Sequence, residues 1–85
     1  MKLSLVQSQA IQARMALIVG AETFDRLFAG VEFDELDGDV LFVSVMDEDK
    51  GQEMEEKFGS HISIVAGEVL KRRIGIVMIL PRVLQ

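Results

Sequence analysis

Eighty-five residues with a formal net charge of −5 and no cysteine leave room for one domain, which at this size buries only about 60–65% of its unfolded surface. The absence of cysteine excludes disulfides and thiolate zinc sites and fits a reducing, cytoplasmic setting. Eleven of the fourteen acidic residues fall between Glu32 and Glu56, a stretch that repels phosphate backbones and makes another polypeptide the expected partner.

Gln7, Ser8, Gln9, Gln12 and Arg14 interrupt the first twenty residues, which therefore read as neither a signal peptide nor a membrane span. Instead, Ser4 followed three residues later by Gln7 matches a capping box. Behind it Val6, Ala10, Ala13 and Leu17 recur at helical spacing, and Gly20 closes the turn, so the spacing predicts a helix over roughly 5–18. Thr23 is the expected N-cap of a short second helix with Phe24, Leu27 and Phe28 on one face and Gly30 at its end.

The period then changes from helical to two. Val31 and Phe33 alternate with Glu32 and Asp34, and after Asp37-Gly38-Asp39 come Leu41, Val43 and Val45. A two-residue turn at Asp37-Gly38 would place Phe33 opposite Phe42 and split the apolar residues between two faces. A three-residue loop centred on Gly38 sets Val31 across from Val45 and Phe33 across from Val43, and the shared apolar face selects that register.

Asp47 is placed to cap a third helix, whose Met54, Phe58, Ile62, Val65 and Val69 form a stripe at spacings of four, four, three and four. Glu48, Asp49 and Glu53 near its start, and Lys71, Arg72 and Arg73 near its end, suit the helix dipole. Gly51, Gly59 and Gly67 each weaken it by roughly 1 kcal/mol against Ala, so a break is an open alternative. The run Ile74–Leu80 is a last strand, stopped by Pro81 and far too short to cross a bilayer.

The order α-α-β-β-α-β implies an α+β domain: a three-stranded sheet with helices packed on one face. Its other side, carrying Val40, Phe42 and Met46 plus one face of the last strand, is left uncovered. Either a loop or the C-terminal Arg82–Gln85 covers this patch, or a partner does.

Catalytic signals are sparse. The single histidine, His61, lies beside the third-helix stripe, and no nucleophile motif, phosphate loop or metal-binding histidine pair occurs. Asp34, Asp37 and Asp39 crowd one hairpin, but counting from Gly38 as the sixth position of a calcium loop puts Phe33 first and Ser44 twelfth. The reading is non-enzymatic, with no cofactor and no metal. Lys71, Arg72 and Arg73 form a basic run, but there is no Trp or Tyr for base stacking, so direct nucleic-acid binding is not expected.

"LSLVQ" at the start, "TFDRLF" in the second helix, "LDGDVLFVSV" across the hairpin and "MEEKFGSHI" in the third helix together resemble the N-terminal domain (domain I) of the bacterial replication initiator DnaA. The resemblance covers about residues 3–80. It implies a KH-like α+β fold without the RNA-gripping loop, and no Gly-x-x-Gly is present here. It also implies a docking platform that self-associates, contacts the replicative helicase and receives regulators of initiation.

Position by position, the family's self-association aromatic corresponds to Val6. Its helicase-contacting acid corresponds to Thr23, with Glu22 one residue removed, and an aromatic of the third helix corresponds to Asp49. The proline after the second strand corresponds to Met46. With no room for an ATPase module or a helix-turn-helix domain, the resemblance is to the small regulators of the HdaB kind. These act by protein contact, with DnaA, the Hda ATPase or the replicative helicase as the expected partner.

Two surfaces are candidates for that contact. One is Val6 and Ala10 with Glu22, Thr23 and Asp25, although Val6 and Ala10 share a stripe with Leu17 and core is the competing reading. The other is the open sheet side around Phe42, which a homodimer would also use. Nucleic-acid binding by a KH-like scaffold through Lys71–Arg73 is the remaining alternative.

Overall fold

The structure, a computed structural model, describes residues 1–82; the part of the expected C-terminal cover at positions 83–85 lies outside the described residues. Its elements are α1 (Leu5–Val19), α2 (Ala21–Leu27), β1 (Glu32–Asp37), β2 (Val40–Val45), α3 (Glu48–Leu70) and β3 (Ile76–Pro81). This is the expected α+β order. The sheet runs β1-β2-β3, with β2 antiparallel to β1 and parallel to β3.

The capping box starts α1 as expected. The Gln7 N–H donates to Ser4 Oγ at 3.1 Å and the Ser4 N–H donates to Gln7 Oε1 at 2.9 Å. The face that α1 buries is not the Val6–Ala10–Ala13–Leu17 stripe, however. Ile11 and Met15 are fully buried with Ser8 beside them, while Val6 is 75% and Leu17 87% exposed. The stripe points away from the core, roughly opposite Ile11 at about 3.6 residues per turn. Two of its four members are alanines, and Ile11 with Met15 removes more apolar area from water.

Gly20, at φ 88°, ends α1 and stands directly before α2. Thr23 is therefore not the N-cap expected of it: α2 begins at Ala21, no side chain caps it, and Thr23 sits in its first turn. Leu27 and Phe28 are buried as the spacing predicts, and Phe24 stacks on Phe28 with ring centroids 5.5 Å apart.

The hairpin combines two registers. Phe33 faces Val43 and Glu32 faces Ser44, as expected. Nearer the turn Leu36 faces Leu41 and Asp37 faces Val40, so the loop has two residues, Gly38 and Asp39, and not three. A bulge between Phe33 and Glu35 reconciles the two. One extra residue in β1 lets Phe33 and Leu36, three apart, both enter the core at 2% and 3% exposure.

Asp47 caps α3, its Oδ1 accepting from the N–H groups of Asp49 and Lys50 at 2.9 and 3.2 Å. Met54, Ile62 and Val65 are buried, with Phe58 and Val69 packed partly against them. The helix is unbroken from Glu48 to Leu70 despite its glycines. Two of these serve close approach: a Cβ at Gly51 would fall 2.9 Å from Val45 Cγ2, and one at Gly67 3.0 Å from the Arg72 carbonyl oxygen. After α3, Ile74 stays in the core and its carbonyl accepts from Ser63 Oγ at 2.9 Å. The strand accordingly starts two residues later than expected and includes Pro81. Among the described residues no helix is long and apolar enough to cross a membrane.

Candidate docking surfaces

Among the described residues, and besides the exposed Leu5 and Val6 at the start of α1, two stretches of apolar surface remain in contact with water. The first lies where α1 and α3 pack. Leu17, Ile18 and Ile64 are 87%, 47% and 63% exposed. With Val65 beneath them they line a shallow groove of about 260 Å³, completed by Arg14, His61 and Glu68. Arg14 Nη2 and Glu68 Oε2 stand 3.5 Å apart, long for a hydrogen bond and about half exposed. His61 is exposed and meets the Phe58 ring edge-on at 6.2 Å.

Val6 lies on the same outward stripe as Leu17 but eleven residues earlier, about 16 Å along the helix, so it is outside the groove. Ala10 is half-buried between them. The competing core reading thus fails for Val6 and holds only in part for Ala10.

On α2, Glu22 and Asp25 are exposed and Thr23 is half-buried. Among the described residues neither acid engages its side chain in a hydrogen bond or ion pair. Arg26, next after Asp25 in α2, is engaged: it grips Glu53 of α3 through two hydrogen bonds of 3.0 and 2.8 Å. Lys57, one turn on, also holds Glu53, at 3.0 Å. These two cations lower the Glu53 pKa from the ordinary 4.5 to about 2, the Arg26 hydrogen bonds contributing most, and the Glu53 carboxylate raises that of Arg26 in return. Asp49 is exposed in the first turn of α3, more than two turns from the groove, and belongs to neither surface.

The second stretch is the uncovered sheet face. Pairing sets Val40 beside Ile76, Phe42 beside Met78 and Ser44 beside Leu80. Ile76, Met78 and Leu80 are 52%, 40% and 47% exposed, and Val40 and Phe42 half-buried. On the β1 side the same rows continue into Asp37, Glu35 and Glu32. The face is thus acidic at one edge and apolar at the other.

Arg82 supplies part of the expected C-terminal cover. Its guanidinium donates to the Gly30 carbonyl at 3.2 Å, to Ser44 Oγ at 3.3 Å and to Met46 Sδ at 3.3 Å, and stands 3.5 Å from Glu32. That closes the Ser44 end and leaves the Phe42–Met78 row open. Met46, expected on this face, lies beyond the end of β2 and is 54% exposed under Arg82.

Sequence reasoning found Phe42 and the outward face of β3 but missed Ile18, Ile64 and the groove they form. The available signal was the apolar character of α1 around most of its circumference, more than one buried stripe requires. Among the described residues no three His, Asp or Glu side chains are grouped to share a metal ion. Every buried side-chain nitrogen or oxygen there has a hydrogen-bond partner.

Comparison of the sequence with protein-family models and with curated proteins found no match.

Proposed function

We propose that this protein is a docking module of the DnaA domain I kind. In this reading it carries out no reaction and regulates initiation of bacterial DNA replication by binding the initiator, the Hda ATPase or the replicative helicase. The observation that carries the reading is the outward stripe of α1, where Val6 and Leu17 stand 75% and 87% in water. Apolar side chains held this far from the core contribute nothing to it, and an outward stripe that carries them at both ends of a helix suits a polypeptide partner. Glu22 and Asp25 on the neighbouring helix supply acids for a basic rim on that partner. Val6 and Glu22 fall at or next to the positions that the resemblance assigns to self-association and helicase contact.

The test is direct titration of the purified protein with purified initiator, Hda and helicase. At least one is expected to bind. Leu17→Asp and Val6→Asp are expected to weaken that binding about tenfold or more, a loss of about 1.4 kcal/mol, with the melting temperature unchanged. Absence of binding to all three overturns the reading.

A further inference from the structure

The two edges of the sheet are treated differently. β1 carries Glu32, Asp34, Glu35 and Asp37, contains a bulge, and has Met1–Leu3 laid antiparallel along it. Leu3 N–H donates to the Asp34 carbonyl at 2.9 Å and Leu36 N–H to the Met1 carbonyl at 2.8 Å. Charge, a bulge and a covering segment are the devices by which proteins keep an edge from pairing. β3 has none of them among the described residues: Ile76–Leu80 is uncharged and unbulged, and nothing pairs with its outer side.

The ladder shows which groups that outer side presents. Ile76 N–H donates inward to the Asp39 carbonyl at 3.2 Å and Arg82 N–H to that of Val45 at 2.7 Å. Ile76, Met78 and Leu80 therefore face β2, and the N–H and C=O groups of Val77 and Ile79 point outward. Pro81, next in the outward series, has no N–H to offer.

We propose that β3 pairs antiparallel with β3 of a second copy of this chain, about a two-fold axis at Met78, joining two three-stranded sheets into one of six. This stands independently of the docking reading above. Only that register engages both the N–H and the C=O of Val77 and of Ile79. Val77 meets Ile79 of the second copy and Ile79 meets Val77, making four N–H···O bonds. An axis at Ile79 sets Val77 against Pro81, which has no N–H for the Val77 carbonyl, and an axis at Val77 sets Ile79 against Gly75, whose N–H already donates to the Asp39 carbonyl at 2.8 Å and so is lost to the Ile79 carbonyl.

Side chains and charges agree with this register. On the open face it aligns Ile76 with Leu80 and Met78 with Met78, continuing each copy's Val40–Phe42 row into an apolar strip across the axis. In α3, Gly51 packs within reach of Ile79, so the acidic first half of the helix, with Glu48, Asp49, Glu55 and Glu56, overlies the C-terminal end of β3. Lys71, Arg72 and Arg73 precede the other end. A two-fold directs each acidic half toward the basic turn of the second copy, a complementarity that pairing in the parallel sense lacks.

Because the chain has no cysteine, Met78→Cys introduces a lone thiol on the axis. The residues of a non-hydrogen-bonded antiparallel pair lie about 4.5 Å apart at Cα, within disulfide range. Mild oxidation is expected to link Met78→Cys into covalent dimers and to leave the exposed control Ile64→Cys monomeric. In sedimentation, the wild type is expected to dimerise with concentration and Met78→Lys to stay monomeric at an unchanged melting temperature. Amide exchange is expected to show Val77 and Ile79 protected as concentration rises. A wild type that is monomeric at its highest soluble concentration overturns the proposal. So does Met78→Cys linking no faster than Ile64→Cys, or protection of Val77 and Ile79 only when a different polypeptide is added.

Discussion

The two long helices use their apolar residues differently. In α3 the outer face is charged or polar except at Ile64, so the Met54–Ile62–Val65 stripe faces the core and little else could. In α1 apolar residues occur on nearly every side, so burying Ile11 and Met15 leaves Val6 and Leu17 in water. An amphipathic helix states its own orientation, whereas a helix apolar all round is oriented by what it packs on. The surplus apolar surface of the second kind is where a partner is best sought.

Truncation tests this contrast most strongly. Ile11→Ala and Met54→Ala each remove a side chain with no exposed surface and are expected to cost about 2–5 kcal/mol in denaturant unfolding. If Ile11→Ala is near neutral, the buried face assigned to α1 is wrong. Phe58→Ala belongs lower on the same scale, because Phe58 is only half-buried against Phe28 at a centroid distance of 6.2 Å.

The helix starts give the next largest effect. Asp47→Ala and Ser4→Ala each delete a side-chain cap and are expected to destabilise by about 1 kcal/mol. Both should show as a lowered denaturation midpoint with an unchanged slope. A loss confined to one helix would mean that the other is held by packing alone.

Leu17→Asp and Val6→Asp sharpen the comparison from the other side, with stability expected to change by no more than about 0.5 kcal/mol. A charge at Ile62 would be ruinous by contrast, since burying an unpaired carboxylate is strongly unfavourable. Comparable damage from Leu17→Asp would return the α1 stripe to the core.

The smallest effect is electrostatic and lies between α2 and α3. The Glu53 pKa is lowered to about 2, so the folded state favours the ionised carboxylate. Its contribution is complete above the ordinary carboxylate range and fades as pH falls from about 4.5 toward 2. Thermal melts of wild type and Glu53→Gln are expected to differ near neutral pH and to converge toward pH 2. Salt should shrink the difference, because the cluster lies at the surface. A difference that persists at pH 2 would point to packing as its source.

How much was legible in advance can be traced residue by residue. Ser4 and Asp47 announced their helices because capping is a local event involving the next three N–H groups. The α3 stripe was legible because its polar complement was equally periodic. The bulge in β1 was not: alternation reads a strand as uniform, and it puts Leu36, three residues after Phe33, on the opposite face. Phe42 and β3 could be placed on an open face from strand alternation alone. The groove of Leu17, Ile18 and Ile64 could not, since it needs the angle at which α1 meets α3.

The order of elements, the sign of the surface and the starts of the two long helices were written in the chain, since each depends on residues a few positions apart. The buried face of α1, the mixed register of the hairpin and the contrast between a guarded edge at β1 and a bare one at β3 were decided in three dimensions. Each requires several solutions of similar local energy to be ranked by the apolar area they bury together, and that ranking exists only once the helices lie on the sheet.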